Sequence, residues 1–471
     1  MQMDCDLVIR GGTVVTPDGT GETDVGVAGG RIVQLGGMLA GRRVIDASRA
    51  LVLPGGIDMH VHLSLPSPPV PGRPAWVDDF GSGTRAAIAG GITTIGNMTT
   101  PWAGQSLGDA IARDLAAAAE SAVVDYVLHP VLADPSPVAA AELPGLAAAG
   151  HTSVKLFMVD PEFEQRIDAV LPAIRAAGRA GMLTLLHCED SALVRFAGAE
   201  LLARGRGSVA DWAASRPDLA ERAAVERAVA ICAVTGSPVY IVHLSSAAAL
   251  ESARRARARG LPVFVETRPL YLHLTGEVLA GPDGGKYIGS PPLREPADQE
   301  ALWSGLADES VHTVGSDHAP WTLAAKTDPE QTVATARQGV PDLETMLPML
   351  FSAGVRPGRI SLDRFVALTA ANPARLFGLF PRKGAIAVGS DADLIVLDPQ
   401  RRRVIDGAAM QSRAGYSPYD GAEVFGWPRF TVSRGEVVLE DGEVTASPGR
   451  GQWLRRDRTP AAPGPDQEGA R

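Results

Sequence analysis

The central part of the chain alternates short apolar runs with alanine-rich stretches of helical period, which predicts repeated strand–helix units. Eight runs suit buried parallel strands: VLPGGIDMHV, GITTIGNM, VDYVLHPVL, SVKLFM, MLTLLHC, VYIVHLS, PVFVE and VHTVGSD. The helical stretches between them are GTRAAIAG, DAIARDLAAAAESA, IDAVLPAIRAAGRAG, ERAAVERAVAICAVTG and ADQEALWSGLADE. Eight units in roughly 330 residues predict an α/β fold, the (β/α)8 TIM barrel. A doubly wound sheet is disfavoured because no early Gly-rich phosphate turn is present.

Both ends of the chain have a different sequence pattern. Apolar and polar residues alternate in short predicted strands that are separated by glycine-containing turns. We therefore expect residues 1–53 and 383–450 to form one small β-sandwich domain, built from the N- and C-terminal segments. The barrel domain then spans 54–382. The Gly- and Pro-rich text from Ala446 onward predicts disorder, and 451–471 is interpreted as a partly disordered C-terminal tail.

Composition narrows the class of protein. The chain of 471 residues carries a formal net charge of −10, which argues against a nucleic-acid or anionic membrane surface. Its three cysteines are far apart and predict reduced, buried thiols. No run approaches the ~18 apolar residues of a transmembrane helix, and the acidic N-terminus does not fit a signal peptide. These features predict a cytoplasmic protein.

Metal-capable residues stand where the predicted barrel strands end. His60 and His62 occupy alternate positions of one strand and so face the same side. Other candidates close four further strands: Lys155, His187, His243 and Asp317. Since the carboxyl ends of barrel strands converge on one site, this convergence predicts a metal centre, although each residue alone is more often structural.

Lys155 needs a separate explanation, because a charged lysine is costly to bury in an apolar strand. Its amine is either neutral, paired with an acid, or covalently altered. A carbamate formed with CO₂ would be anionic and would offer two oxygen ligands. Such a group would compensate the charge of two divalent ions better than one aspartate and four neutral imidazoles.

The chain resembles the amidohydrolase superfamily, and specifically its cyclic amidohydrolases: hydantoinase/dihydropyrimidinase, dihydroorotase and allantoinase. The motifs are PGGIDMHVHL, DDFGSGTRAAIAGGITT, VKLFM, HCED, VHLSS, ETRPLYL, YIGSPPLR and GSDHAP, spread over nearly the whole chain. The resemblance implies a hydrolase of C–N bonds in cyclic amides, imides or ureides. It also implies a small-molecule substrate and a homotetramer or homodimer.

The resemblance further implies two divalent ions, expected to be Zn²⁺. One would be held by His60, His62 and Asp317, the second by His187 and His243, with a carbamate on Lys155 bridging both. Two ions about 3.5–4 Å apart supply a bridging hydroxide at neutral pH. Asp317 would then act as catalytic base and acid, moving the proton to the departing ring nitrogen.

The resemblance also implies substrate-binding residues, but the chain departs from the family pattern at two of these positions. Ser290, before PPLR, is expected to hold the amide edge of the ring. Asp160 stands where this branch usually has a tyrosine that serves the oxyanion, and Gln338 where it tends to have asparagine. An ionised carboxylate cannot donate to an oxyanion. Asp160 therefore either points away, is protonated, meets a donor-bearing substrate, or simply caps the following helical turn.

Three other functions stay open at this point. A dihydroorotase- or allantoinase-like enzyme is disfavoured because Ser64 replaces the arginine that grips a substrate carboxylate in dihydroorotases. A non-catalytic, dihydropyrimidinase-related scaffold is disfavoured because every ligand position is intact. An enzyme for acyclic or exocyclic amides would be compatible with the change at Asp160.

Overall fold

The computed structural model describes residues 3–458. Its strands, in chain order, are β1 Met3–Thr16, β2 Gly19–Ala28, β3 Arg31–Leu35, β4 Leu39–Asp46, β5 Leu51–Pro54, β6 Gly56–Val61, β7 Ile92–Thr99, β8 Asp125–Pro130, β9 Ser153–Phe157, β10 Leu183–His187, β11 Val239–Ile241, β12 Val263–Thr267, β13 Thr313–Val314, β14 Leu394–Leu397, β15 Arg402–Val404, β16 Glu423–Phe425, β17 Pro428–Ser433, β18 Glu436–Glu440 and β19 Glu443–Val444.

Strands β6 to β13 form a closed parallel barrel. Parallel ladders join β6, β7 and β8, and a second series joins β9 through β13. Single bridges complete the ring, between Val131 and Lys155 and between Val61 and His318. Nearly all residues of these strands are buried, as expected of a parallel sheet covered on both faces. The predicted (β/α)8 barrel is confirmed.

Helices surround the barrel and connect its strands. They are α1 Phe80–Ala89, α2 Leu107–Ser121, α3 Pro137–Ala149, α4 Pro161–Gln165, α5 Ile167–Arg179, α6 Ser191–Ala203, α7 Trp212–Ser215, α8 Asp218–Thr235, α9 Ala247–Ala258, α10 Pro269–His273, α11 Pro296–Ala307, α12 Leu323–Lys326, α13 Met346–Leu350, α14 Leu362–Val366 and α15 Asn372–Leu376. The five helical stretches named from the sequence are α1, α2, α5, α8 and α11. No helix within residues 3–458 combines the length and hydrophobicity needed to cross a membrane.

The remaining long strands form a separate sheet from both ends of the chain. Its order is β3-β2-β1-β5-β14-β17-β18-β19, with β4 also paired to β1. The edge strand β3 also contacts the segment that leads into β14: the Ile32 amide donates to the Ser390 carbonyl at 3.0 Å, and the Ala392 amide donates to the Gly30 carbonyl at 2.9 Å. The apolar side chains of its inner face share one core, which β1 and β14 both line.

A buried ion cluster joins this sheet to the bottom of the barrel. Lys383 is 1% exposed and its Nζ lies 2.6 Å from Asp125, 2.7 Å from Asp393 and 3.1 Å from Asp391. Asp125 begins β8 of the barrel, and Asp393 immediately precedes β14 of the sheet. The cluster therefore fixes the two units to each other through groups withdrawn from solvent.

The prediction of a disordered tail from Ala446 is wrong for residues 446–458. Leu454 is fully buried, and its amide donates to the Tyr126 carbonyl at 2.9 Å. Arg450 Nη1 donates to the Val123 carbonyl at 2.9 Å. Apolar and hydrogen-bonding side chains thus attach this segment to the barrel despite its glycine content. Residues 459–471 lie outside the described residues.

Candidate active site

A cavity of about 450 Å³ opens at the carboxyl ends of the barrel strands. The predicted site residues that line it are His60, His62, Asp160, His187, His243, Ser290, Asp317 and Gln338. Lys155 also lies in this region, but its side chain is fully buried. The fold therefore brings together side chains that are up to 278 positions apart in the chain, from His60 to Gln338.

Two histidines and an aspartate converge at one side of the cavity. Asp317 Oδ1 lies 3.1 Å from His62 Nε2 and 3.3 Å from His60 Nε2. His60 is fully buried, and its Nε2 makes no hydrogen bond to any residue in 3–458. Burial holds the pKa of His60 well below its ordinary value, so this imidazole is neutral. Neutral imidazole nitrogens and a carboxylate oxygen are ligands that suit Zn²⁺.

Glu266, at the end region of β12, orients this group. Its Oε1 lies 2.7 Å from His60 Nδ1 and accepts the His243 backbone N–H at 3.0 Å. Tyr240 donates its hydroxyl to Glu266 Oε2 at 2.8 Å. When Nδ1–H of His60 donates to this carboxylate, the Nε2 lone pair is directed at Asp317. Sequence reasoning missed Glu266, although the ETRPLYL motif contains it.

His187 and His243 form a second pair of facing nitrogens. His187 Nδ1 lies 3.0 Å from His243 Nε2. The other nitrogen of His187 contacts Glu189 Oε2 at 2.7 Å, and Arg216 donates two hydrogen bonds to the same carboxylate, at 2.9 and 2.7 Å. The arginine and this contact hold the pKa of Glu189 below its usual range despite burial. An ionised Glu189 fixes His187 with the Nδ1 lone pair facing His243.

Lys155 lies among these groups without a hydrogen-bond partner in residues 3–458 for its Nζ. Burial lowers the pKa of this amine to about 8, because the ammonium loses its hydration. Of the three explanations left open by the sequence, pairing with an acid is not observed: no carboxylate of residues 3–458 hydrogen-bonds to this amine. A partly unprotonated amine can react with CO₂, so the environment fits a carbamate.

Asp317 is held by a buried cation that the sequence analysis did not identify. Arg268 is fully buried, and its Nη1 donates to Asp317 Oδ2 at 2.7 Å. Burial alone would raise the pKa of Asp317, but Arg268 and the nearby histidines hold it well below its usual range. The carboxylate is therefore ionised, with Oδ2 bonded to Arg268 and Oδ1 directed at the histidines. This contact joins residues 49 positions apart, which no local motif reveals.

Two of the candidate ligands have left-handed backbone conformations, which residues other than glycine rarely adopt. His243 has φ +39° and Asp317 has φ +50°. Left-handed backbone costs a non-glycine residue energy and persists where the surrounding structure enforces it. Both side chains line the cavity, just beyond the ends of their strands.

The candidate substrate residues line the same cavity. Ser290 is 8% exposed, and its Oγ has no hydrogen-bond partner among residues 3–458. Asp160 is the N-cap residue before helix α4, but its side chain makes no capping hydrogen bond, so the capping role does not apply to this carboxylate. Loss of solvation raises the pKa of Asp160. Gln338 lines the cavity, and its backbone carbonyl accepts a hydrogen bond from Trp321 Nε1 at 2.7 Å.

Ser64, whose identity argued against a dihydroorotase, has local partners. Its Oγ donates to the Met98 carbonyl at 3.2 Å and accepts from Asn97 Nδ2 at 3.0 Å. No cation therefore comes from this position to bind a substrate carboxylate.

Comparison with known proteins agrees with this geometry. A family model described as the amidohydrolase family matches residues 51–438. The D-hydantoinase of Ralstonia pickettii is 37% identical over 456 residues, which cover 96% of this chain and 99% of the relative. A D-phenylhydantoinase of Escherichia coli O1:K1 is 38% identical over 456 residues, covering 96% and 98%.

Solved structures give the same result in three dimensions. D-hydantoinase from Bacillus sp. AR9 superimposes with a TM-score of 0.91 at 38% identity, covering 96% of this chain and 99% of that one. L-hydantoinase (dihydropyrimidinase) from Arthrobacter aurescens has a TM-score of 0.88 at 30% identity, covering 96% and 100%. Since the family model and these relatives span most of the chain, the protein belongs to the amidohydrolase family, in which it is similar to the hydantoinases.

Proposed function

We propose that the protein is a binuclear metal-dependent hydrolase that opens a cyclic amide, imide or ureide ring, as its hydantoinase relatives do. The observation that carries the proposal is the pair of ligand sets at one cavity: His60, His62 and Asp317 on one side, His187 and His243 on the other. The unpartnered Nζ of Lys155 supports its assignment as the carbamate that bridges both sets. Zn²⁺ is the proposed metal because imidazole and carboxylate ligands suit it.

Divalent ions, if held by these residues, would supply a water of lowered pKa and a polarised substrate carbonyl. The chain's own residues supply the rest. Asp317 is ionised and is proposed to accept the proton of the attacking water, then return it to the ring nitrogen as the C–N bond breaks. Ser290, whose Oγ has no hydrogen-bond partner among residues 3–458, is proposed to hydrogen-bond the amide edge of the ring, and Gln338, on a neighbouring segment of the cavity lining, is proposed to contact the ring as well.

The proposal is tested by a hydrolysis screen of cyclic ureides and imides with zinc-loaded protein. We expect about two divalent ions per chain by elemental analysis and ring opening of at least hydantoin-type substrates. His60→Ala and His243→Ala should each lose metal and activity, because each removes a direct ligand. A protein holding only trace metal after growth with added zinc would contradict the enzyme proposal and favour the non-catalytic scaffold.

Asp160 is proposed to select the substrate. A donor at this wall would serve the oxyanion, and losing one such donor typically costs about 10²–10³-fold in rate. If the native substrate instead presents an amine or N–H to Asp160, the carboxylate recognises it. We therefore expect Asp160→Tyr to raise kcat/KM for simple hydantoin and dihydrouracil, and Asp160→Phe, which has the ring but no donor, to bring no such increase. Equal rates for wild type and Asp160→Tyr would show that this wall does not contact the substrate.

Two further expectations from the sequence, a homo-oligomer and a cytoplasmic location, stay predictions. Size-exclusion chromatography with light scattering on the full chain measures the first. Fractionation of the producing cells measures the second.

A further inference from the structure

The segment that presents Ser290 to the cavity is held by three buried side chains. Lys326 Nζ donates to the Ile288 carbonyl at 2.7 Å, and Trp212 Nε1 donates to the Gly289 carbonyl at 2.8 Å. On the other side of Ser290, the Tyr271 hydroxyl donates to the Pro291 carbonyl at 2.7 Å. The backbone around Ser290 is thus fixed from both directions, while its Oγ remains available.

One of the three side chains also holds the adjacent wall of the cavity, the segment around Gln338. Lys326 Nζ donates to the Arg337 carbonyl at 2.6 Å and to the Gly339 carbonyl at 2.9 Å, on either side of Gln338. Its three N–H groups are therefore all used, and every acceptor is a backbone carbonyl. The Gly339 amide also donates to the Ile288 carbonyl at 3.0 Å, which joins the same two segments directly.

This arrangement is energetically expensive. Lys326 is 0% exposed, and no ion pair with a carboxylate is found for it within residues 3–458. Burial and two nearby guanidinium groups, those of Arg268 and Arg337, oppose its charge and lower its pKa well below the ordinary value. A buried cation without an anion is disfavoured unless its hydrogen bonds are satisfied, so the three carbonyls must offset the loss of hydration.

We propose that Lys326 is a positioning residue for substrate binding, which sets the spacing between the Ser290 wall and the Gln338 wall without touching the substrate. The proposal rests on the proposed function for its substrate, a ring whose amide edge contacts both of these adjacent walls. A small change in that spacing weakens binding, because misplacement by about 1 Å can cost up to 10²-fold in efficiency. The effect should fall mainly on KM.

The experiment compares two changes at Lys326 with two controls. Lys326→Met keeps the length and removes every donor, whereas Lys326→Gln keeps two N–H groups and should partly restore function. Trp212→Phe removes the donor to the Ser290 wall only. Lys286→Met is the matched surface control, since Lys286 is partly exposed and its Nζ lies 3.7 Å from Asp420.

For each zinc-loaded protein we would measure bound metal, KM and kcat on hydantoin, and hydrogen–deuterium exchange of the Gly339 amide. Lys326→Met should raise KM about tenfold or more with unchanged metal content and a smaller change in kcat. It should also accelerate exchange at Gly339, and Lys326→Gln should fall between Met and wild type. Trp212→Phe should raise KM without affecting Gly339, and Lys286→Met should match wild type.

The outcomes separate this inference from the proposed function. If wild type opens no cyclic amide, the proposed function fails, and the exchange rate of Gly339 still decides whether Lys326 links the walls. Unchanged exchange and unchanged KM in Lys326→Met would overturn the inference. Loss of metal or of the fold in both Lys326 variants would also overturn it, because the residue would then serve general stability.

Discussion

Replacing Lys155 with alanine is expected to abolish hydrolysis and to deplete the protein of metal. The reason is that the proposed carbamate is the one anionic group that would be shared by both ligand sets. Residues that merely orient ligands typically cost about 10–100-fold in metal affinity or activity when changed, so a bridging ligand should cost more. Elemental analysis and the rate of hydantoin hydrolysis measure the two effects.

A partial rescue distinguishes the carbamate from a plain lysine. Lys155→Ala leaves space next to the histidines, and short carboxylic acids such as acetate should restore part of the activity by supplying the two oxygens. Lys286→Ala, at a partly exposed position, should need no rescue. Growth of wild type with ¹³C-labelled bicarbonate should give a carbamate carbon signal that Lys155→Ala lacks; its absence from active wild type would contradict the assignment.

Replacing Lys383 with methionine is expected to lower the free energy of unfolding more than any other substitution proposed for this protein. The substitution would leave Asp125, Asp391 and Asp393 buried at the junction of barrel and sheet without their shared cation. Breaking a buried ion pair from one side typically costs about 3–5 kcal/mol. Urea unfolding of the zinc-loaded protein, followed by circular dichroism, should show this loss as a lower midpoint.

The neighbouring Arg382 provides the control. It pairs with Asp391 at 2.9 Å, but its side chain is 40% exposed. Exposed pairs contribute about 0–1 kcal/mol, so Arg382→Met should shift the midpoint little. Equal midpoints for Lys383→Met and wild type would mean that the three carboxylates do not need the lysine.

The sequence predicted the barrel because its signals are local. Each strand is a short apolar run; the candidate ligand His187 ends β10 and His243 follows β11 by two residues, so the known geometry of a barrel brings them together. The small sheet was also predictable from alternating strands at both termini. The ordered structure of residues 446–458 was not predictable. It depends on contacts of Leu454 and Arg450 with the barrel, and the glycine content of the segment gives no sign of these contacts.

The residues that orient the site could not be predicted from the sequence, for a different reason. Arg268 contacts Asp317 across 49 positions, and Lys326 bonds only to backbone carbonyls. Neither pairing has a spacing rule, since each depends on how strands and loops are placed in the closed barrel. Asp160 shows the reverse case. The replacement of the usual tyrosine by Asp160 was visible in the sequence, but only the three-dimensional structure shows that its side chain does not cap α4.

The left-handed backbone at His243 and Asp317 places stability and chemistry in opposition. Glycine adopts such angles without steric cost, whereas other residues at strained positions cost of order 1–3 kcal/mol each. Replacing either residue with glycine would therefore relieve backbone strain and at the same time remove a candidate metal ligand. Such a substitution would exchange activity for stability, a trade-off found where function needs a strained site.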